Sequence, residues 1–526
     1  MQLSKVARSL RPAPTLLAAL ANWRGYVPAF VLLGFLAYLA VLLATRVVFT
    51  SPGYDDSYYG SIARNLAAGR GYVTSYGETV QKFNPEISNG PTVVLPAAAL
   101  YKLLGDHYWL NNLVVAAMAF PLLGALVWLL ARRFRISAAT ILLIVLTLML
   151  FTNERTDSGE IFRFLFLWTH LMGEIPATLL VILAAALACL ARSNRCLHLL
   201  AGACLVLALY ARAFVLLAIP GFLIAYGWQF HTERRLGPVL AFIAGSLAVA
   251  LALEMFRLVH LGSWGSYLEN SRQVVHFYRT WGPSGDGDAS TIGALMRQLK
   301  LTLGVIPLLL WVGFVAFERL RTPVGDPERA RFNFSLILAM AAVTHFIWWW
   351  ILNDAGWIRH LIPAIIYFAF GLPVLASLSR MQLVRYSGLL VFLVLLVPQF
   401  GAIGEFAPMV RSEARLTALL DTSSFLKSLD SKGVSFWGCG WWANRDLDLV
   451  GDVHFYDCSD MDSVARHLAA GERILLVRSE YFNWENNSYF TRLAEECDRT
   501  VLFRREPFVV CDATLWLEPS GVVAGG

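Results

Sequence analysis

The sequence predicts an α-helical polytopic membrane protein with a small C-terminal α/β extracytoplasmic domain. Hydrophobic residues make up 57% of the 526-residue chain and charged residues only 15%, whereas soluble domains carry about 25% charged residues. The mean hydropathy is +0.57, and the apolar residues lie in long runs, so lipid is the main solvent. After residue 404 the sequence becomes more polar and alternates between helix and strand patterns.

Apolar runs long enough to cross about 30 Å of hydrocarbon mark the membrane spans. About eleven such runs are predicted, at 27–49, 107–131, 137–152, 174–191, 196–210, 213–230, 238–260, 291–317, 333–352, 361–378 and 386–403. The segment 91–104 is apolar but short and contains Pro96, which favours a juxtamembrane or re-entrant position. The first run is too long for the apolar region of a signal peptide, so we expect a retained span.

The distribution of arginines predicts the topology. Alternate loops are rich in arginine, and the loops between them carry carboxylates. By the positive-inside rule, the N-terminus 1–26 is cytoplasmic, the transmembrane part is 27–404 and the tail 405–526 is periplasmic. This predicts a multi-pass protein of the cell inner membrane with outer loops at 50–106, 152–173 and 262–290. Because the large polar segments all lie outside, we expect the function there.

The tail has the pattern of a small α/β domain. It predicts helices at 411–430, 463–470 and 489–497, and strands at 434–437, 473–477 and 501–510, the last of which is a strand or a hairpin. Its four cysteines, Cys439, Cys458, Cys497 and Cys511, lie in a compartment that permits disulfides, and three pairings are open. We favour Cys497–Cys511, because the end of a helix and the next strand are often adjacent.

An acidic pair and a helical pattern follow the first span. Asp55 and Asp56 precede apolar residues that share one face of a helix ending near Gly69, at 58, 59, 62, 63 and 66. This predicts a helix on the membrane surface with both carboxylates at its N-terminal end. There the helix dipole favours the ionised form that a general base requires. Alternatively, one aspartate caps the helix, although capping needs only one and both roles are compatible.

These residues resemble the GT-C glycosyltransferases, which include protein O-mannosyltransferases, the lipid A aminoarabinose transferase and bacterial arabinosyltransferases. The shared features are the acidic pair, a Tyr-containing helix with an Ala63–Arg64 step, and the Pro-containing segment Asn84–Thr92. Many members have Asp-Glu, whereas Asp55–Asp56 is similar to the arabinosyl-type branch. The resemblance covers mainly residues 27–195. It implies a GT-C-like fold, a lipid-phosphate-linked donor and Asp55 as the general base.

Two positions are candidates for binding the donor phosphate. The segment Trp357–Pro363 resembles the family's Arg-Tyr-x-x-Pro element, with His360 in place of Tyr, which implies that Arg359 lies near the phosphate. The alternative is an arginine that extends to the membrane interface. Lys82, in the first outer loop, would neutralise a leaving phosphate, or is an ordinary surface lysine.

Further carboxylates lie in or beside the second outer loop. Asp157 and Glu160 are spaced to share a helix face, and Glu174 lies at the membrane boundary. The resemblance implies that one of them supports the base, the acceptor or a metal, whereas a solvated acidic loop is the alternative. A divalent metal ion is left open, and we predict no other cofactor.

The predicted reaction is an inverting transfer of a hexosyl or pentosyl group from a polyprenyl-phosphate donor to an acceptor hydroxyl. The expected partners are that donor, a lipid, glycan or protein acceptor, and the bilayer, but no nucleic acid.

The sequence lacks a P-loop, zinc-type Cys/His spacing and a Gly-x-Ser-x-Gly elbow. A transporter or flippase for lipid-linked sugars is an alternative function, which predicts charged residues at mid-membrane and internal repeats in the sequence. A ligase or oligosaccharyltransferase moving a whole glycan is disfavoured, because Trp441–Asn444 lacks the acidic residue of a Trp-Trp-Asp signature.

Overall fold

The computed structural model describes most of the chain outside the first span and several loops. The described residues are 33, 37, 54–74, 81–84, 90–138, 140–142, 144–145, 152–155, 161–163, 171, 173–280, 313, 317, 326–352, 361–379, 408–429, 433–438, 445–458, 460–479 and 488–517. The predicted span 386–403, nearly all of 27–49 and 291–317, and half of 137–152 lie outside them. So do Asp157, Glu160, Arg359, His360 and Cys439.

The described part is mainly helical before residue 380. Its helices are α1 Tyr54–Ala67, α2 Pro91–Leu104, α3 Leu110–Arg132, α4 Glu174–Leu190, α5 Arg195–Leu209, α6 Ile219–Glu233, α7 Gly237–Leu261, α8 Trp264–Thr280, α9 Asp326–Leu352 and α10 Ile362–Ala376. Short antiparallel pairs join β1 Val73–Thr74 to β2 Gln81–Lys82, and β3 Thr152–Arg155 to β4 Ile161–Arg163. The segment 91–104, predicted to be juxtamembrane or re-entrant, is the continuous helix α2 with Pro96 inside it.

The helices have the length and composition of membrane spans at the positions that the apolar runs predict. Four stretches of the described residues are long and apolar enough to cross a membrane, namely Leu110–Arg132, Ala213–Glu233, Gly237–Leu261 and Glu328–Trp349. Shorter apolar helices are Pro91–Leu104, Glu174–Leu190, Arg195–Leu209 and Ile362–Ala376. Helix α7 exposes a row of large apolar side chains, among them Leu247, Leu251 and Met255, as expected for a helix that faces lipid.

Helices α5 and α7 pack closely against each other through glycines. A Cβ atom added at Gly245 would overlap the carbonyl oxygen of Leu199, and one at Gly202 would overlap that of Phe242. Small residues are common at such helix crossings in membranes, because packing rather than hydrophobic burial drives the association of the helices. The two glycines therefore fix the position of α7, whose C-terminal end contributes to the polar network described below.

The tail contains a five-stranded mixed sheet between helices. Its elements are helices α11 Pro408–Leu429, α12 Arg445–Gly451, α13 Met461–Ala469 and α14 Ser488–Arg499, and strands β5 Val434–Gly438, β6 Phe455–Asp457, β7 Arg473–Arg478, β8 Val501–Arg505 and β9 Phe508–Asp512. The strand order is β6-β5-β7-β9-β8. Strands β6, β5 and β7 are parallel, and β9 is antiparallel to both β7 and β8.

Alternation along β7 explains the layers on either side of the sheet. Ile474 and Leu476 pack with side chains of α13 and α14, whereas Leu475 and Val477 pack with those of α11 and α12, as the two-residue period of a strand requires.

The Cys497–Cys511 disulfide joins α14 to β9, so that predicted pairing is confirmed. Cys458 is also disulfide-bonded. Helix α12 and strand β6 were not predicted from the sequence.

The close crossing of α5 and α7 gives a stability prediction. Gly245→Ala should lower the free energy of unfolding by about 1–3 kcal/mol, because the new methyl group overlaps the α5 backbone. Gly124→Ala is the matched control: nothing lies within 4 Å of a Cβ at Gly124, and alanine is favoured over glycine in helices by about 1 kcal/mol. In thermal unfolding in detergent, the melting temperature of Gly245→Ala should therefore lie clearly below that of Gly124→Ala. Equal shifts of the melting temperature in the two variants would contradict the close crossing of α5 and α7.

Candidate active site

Helix α1, which carries the acidic pair, is enclosed by protein. Ile62 and Ala63 are completely buried, and the residues of its polar face from Ser57 to Asn65 are also buried. Helix α2 covers one side of α1 and helix α12 of the tail covers another. The predicted helix is therefore present, and it is packed between α2 and the tail.

Asp55 and Asp56 lie in the first turn of α1, at the N-terminal end where the sequence predicted them. Their side chains are outside the described part of the structure. Tyr58 follows Asp55 by one helical turn, and its side chain is described and buried. The contacts of Tyr58 therefore describe the part of α1 that comes next to the acidic pair.

Arg64 connects α1 to the tail. Its Nη2 atom lies 2.8 Å from Oδ1 of Asp448 and 3.1 Å from Oδ1 of Asp452. Its Nη1 atom donates to the carbonyl oxygens of Asp448 and Leu449, at 2.8 and 3.0 Å. Burial alone would lower the pKa of Arg64, but the two carboxylates raise it above its ordinary value, so the guanidinium remains charged. The arginine of the Ala63–Arg64 step thus has a docking role, which the sequence did not predict.

A second arginine reaches α1 from the tail. The guanidinium carbon of Arg445 lies 3.5 Å from the centre of the Tyr58 ring, and Arg445 is buried at the start of α12. A cation stacked on an aromatic face in a desolvated position is a stabilising contact. The tail therefore brings a positive charge to within one helical turn of the acidic pair.

The loop that carries Lys82 has a fixed backbone. Lys82 pairs with Val73 in the short hairpin and its side chain is exposed. The next residue, Phe83, has a φ of +45°, a left-handed conformation that is strained for a bulky side chain. Its N–H donates to the carbonyl of Tyr72 at 3.1 Å, and the two rings stack with centroids 4.2 Å apart. Lys82 therefore projects from a turn held by its neighbours.

One hydrogen bond joins the acidic helix to this loop. The Nδ2 atom of Asn84 donates to the hydroxyl oxygen of Tyr58 at 2.5 Å, and both residues are buried. Helix α1, which carries Asp55 and Asp56, is therefore joined to the segment that follows Lys82. An arrangement of this kind can offer a carboxylate base and a cation for a leaving anion.

Glu174 lies in a buried ion pair. Its Oε1 atom contacts Nη2 of Arg212, and the backbone carbonyl of Glu174 accepts from the Thr178 hydroxyl at 2.7 Å. Its Oε2 atom has no hydrogen-bond partner among the described residues. The carboxylate is therefore fixed at the N-terminus of α4, and its role in supporting the base, the acceptor or a metal remains a prediction. No group of three or more potential metal ligands occurs within the described ranges.

The segment Asn84–Thr92 contains a glycine required by packing. A Cβ at Gly90 would overlap the backbone carbonyl oxygen of Tyr210, and the side chain of Tyr210 donates to Glu254 on α7. Pro91 then begins α2 with its ring in the first turn, where proline is tolerated. Gly90 therefore makes a close backbone contact between the start of α2 and the residue that follows α5.

The fold that carries these residues is similar to that of two solved structures of ArnT. ArnT from Cupriavidus metallidurans, bound to undecaprenyl phosphate, matches with a TM-score of 0.52 and 14% identity over 94% of this chain and 99% of that chain. Its apo structure gives a TM-score of 0.55 and 14% identity over 93% and 99% of the two chains. ArnT is a GT-C lipid A aminoarabinose transferase, so the fold that the sequence resemblance implied is confirmed.

Other comparisons add little to this result. The archaeal oligosaccharyltransferase AglB from Archaeoglobus fulgidus, in complex with an inhibitory peptide and a dolichol-phosphate, has a TM-score of 0.46 and 11% identity over 88% of this chain and 70% of that chain. No protein-family model matches the sequence, and the search of curated proteins found no match. The similarity to ArnT is thus one of fold, at low sequence identity.

The docking of the tail on α1 can be tested by mutation. Arg64→Ala should destabilise the protein by about 3–5 kcal/mol, because it leaves a buried carboxylate without its cation. The tail should then become more sensitive to limited proteolysis. Arg70→Ala is the matched control, since Arg70 is half exposed and lies 3.9 Å from Asp452; such a surface pair contributes about 0–1 kcal/mol. Equal stability and proteolysis of the two variants would show that Arg64 does not hold the tail.

Proposed function

We propose that this protein is a membrane glycosyltransferase that moves a sugar from a polyprenyl-phosphate donor to an acceptor hydroxyl outside the cytoplasm. The observation that carries the proposal is the Tyr58–Asn84 hydrogen bond, which joins the helix of Asp55 and Asp56 to the loop of Lys82 within an ArnT-like fold. The ArnT structure bound to undecaprenyl phosphate supports a lipid-phosphate ligand. The sugar, hexosyl or pentosyl, is not specified by these residues.

In the proposed reaction Asp55 accepts the proton of the acceptor hydroxyl. The hydroxyl oxygen forms a bond to the anomeric carbon from the side opposite the phosphate, and the bond from that carbon to the phosphate oxygen breaks. The bonding electrons leave with the phosphate, so the configuration at the anomeric carbon is inverted. Lys82 and Arg359 would balance the charge on the departing phosphate, and Asp56 would help to orient the acceptor.

The remaining candidates extend this assignment. His360 would lie beside Arg359 at the phosphate, and one of Asp157, Glu160 and Glu174 would support the acceptor. For Glu174, the buried pairing with Arg212 supports a fixed carboxylate near the outer ends of the helices. A divalent metal ion stays an open possibility for these carboxylates.

The proposed topology follows from the charges in the loops. We infer about eleven spans in the cell inner membrane, with the N-terminus in the cytoplasm and the tail folded as a periplasmic α/β domain. This orientation puts the acidic pair, Lys82 and the tail on one side of the membrane. A nucleotide-sugar would be met on the cytoplasmic side, where the sequence predicts no large loop, so a lipid-linked donor of the cell envelope fits this orientation better.

The proposed base can be tested by transfer of radiolabelled sugar from polyprenyl-phosphate donors in membranes. Asp55→Asn should lower the rate by about a hundredfold or more, because general base catalysis contributes about 10²–10⁴-fold. Asp462→Asn is the matched control, since Asp462 is an exposed aspartate in the first turn of α13 in the tail and its loss should leave the rate nearly unchanged.

The outcomes separate the competing functions. Equal rates for the wild type and Asp55→Asn would contradict the assignment of the base, although transfer itself would stand. If the wild type moves no label from any donor but lipid-linked sugar crosses the bilayer in vesicles, the protein is a transporter. Transfer of a whole glycan, rather than one sugar, would favour a ligase or an oligosaccharyltransferase.

A further inference from the structure

A polar network lies at the outer ends of α7 and α8, outside the residues that the proposed reaction uses. The carboxylate of Glu254 on α7 accepts from the hydroxyls of Tyr210 and Tyr267 and lies 3.5 Å from Nη1 of Arg257. Arg257 in turn donates to Oδ1 of Asn270 on α8, from Nε at 3.1 Å and from Nη2 at 2.6 Å. These contacts hold one face of α8 to α7.

Asn270 connects this network to the Lys82 loop. Its Nδ2 atom donates to the carbonyl oxygen of Phe83 at 2.8 Å, and Asn270 is buried, with 6% of its surface exposed. The bond ends on the residue with the left-handed backbone, directly after Lys82. On the other side of Phe83, Asn84 is held by Tyr58. The turn is therefore fixed from α8 and from α1 at the same time.

We propose that Asn270 is a positioning residue that holds the Phe83 turn so that Lys82 faces the donor phosphate. This inference rests on the proposed function, in which Lys82 meets the phosphate. A strained turn keeps its conformation only where its surroundings determine it, and the Asn270 amide supplies a bond to the strained residue itself. Arg257 orients that amide, and Glu254 orients Arg257.

The chemistry of the side chain suits both contacts of this position. Asn270 donates to Phe83 through Nδ2 and accepts from Arg257 through Oδ1, and an amide does both through two atoms at a fixed separation. An ionised aspartate of the same shape would keep the contact with Arg257 but could not donate to the Phe83 carbonyl. Asn270→Asp therefore releases the turn while it retains the packing of α8 on α7.

The test measures binding of undecaprenyl phosphate to the purified full-length protein, together with KM and kcat for sugar transfer. Lys82→Ala should weaken binding of undecaprenyl phosphate about tenfold, as expected for the loss of one charge-assisted contact. Asn270→Asp should weaken binding by a similar factor and raise KM more than it lowers kcat. The double variant should be no weaker than Lys82→Ala, because both changes act on one contact.

The matched control places the same negative charge elsewhere on α8. Gln273 is exposed, and its amide lies 3.4 Å from Glu269, so Gln273→Glu should bind undecaprenyl phosphate like the wild type. If Asn270→Asp does not fold, Arg257→Gln tests the same network one contact further out and should weaken binding by a smaller factor. Thermal unfolding of each variant distinguishes lost folding from lost positioning.

The results can overturn the inference independently of the proposed function. Normal binding by Asn270→Asp beside weak binding by Lys82→Ala would overturn it and leave the transferase proposal intact. Independent, additive losses in the double variant would also overturn it, as would a wild type that does not bind undecaprenyl phosphate. If the wild type binds this lipid through Lys82 and Asn270 but transfers no sugar, the positioning role stands and the transferase proposal fails.

Discussion

The burial of α1 between the membrane helices and the tail is the constraint on which the rest of the site depends. A helix enclosed on both faces cannot leave its polar groups to water, so each must find a partner in the protein. Asn65 donates to the carbonyl of Val73 at 3.0 Å, Ser61 to that of Tyr58 at 3.0 Å, and Arg64 to the tail. These bonds connect α1 to the hairpin, to its own backbone and to α12.

The same enclosure suits the proposed chemistry. A sugar on a phosphate carrier can be transferred to water as well as to the acceptor, so a site that limits water favours transfer. Charges also interact more strongly where water is excluded, which increases the effect of a cation on the leaving phosphate. The tail is therefore part of the proposed site, because α12 covers α1 and Arg445 stacks on Tyr58.

The two sides of the proposed reaction are mechanically connected. Tyr58 links the helix of the proposed base to Asn84, and Asn270 links the adjacent residue, Phe83, to α8. Through Arg257 and Glu254 this chain of contacts continues to Tyr210, whose carbonyl packs against Gly90. Helices α1, α7 and α8 and the start of α2 are thus linked by a small number of polar side chains, and the packed helices support them.

The sequence by itself determined the membrane character, most helix positions and the helix behind the acidic pair, because apolar length and helical periodicity are local properties. For the cysteines it only favoured the Cys497–Cys511 pairing, which the structure confirms. Only the tertiary structure decided what covers α1. The apolar face at Tyr58, Tyr59 and Ile62 is visible in the sequence, but the contacts of Arg64 with Asp448, and of Asn270 with Phe83, join residues far apart in the chain. No local pattern marks such pairs, since an arginine or asparagine on a helix looks the same in the sequence whether it meets water, lipid headgroups or another segment. The short elements α12 and β6 escaped prediction for the same reason: their burial, rather than their own periodicity, stabilises them.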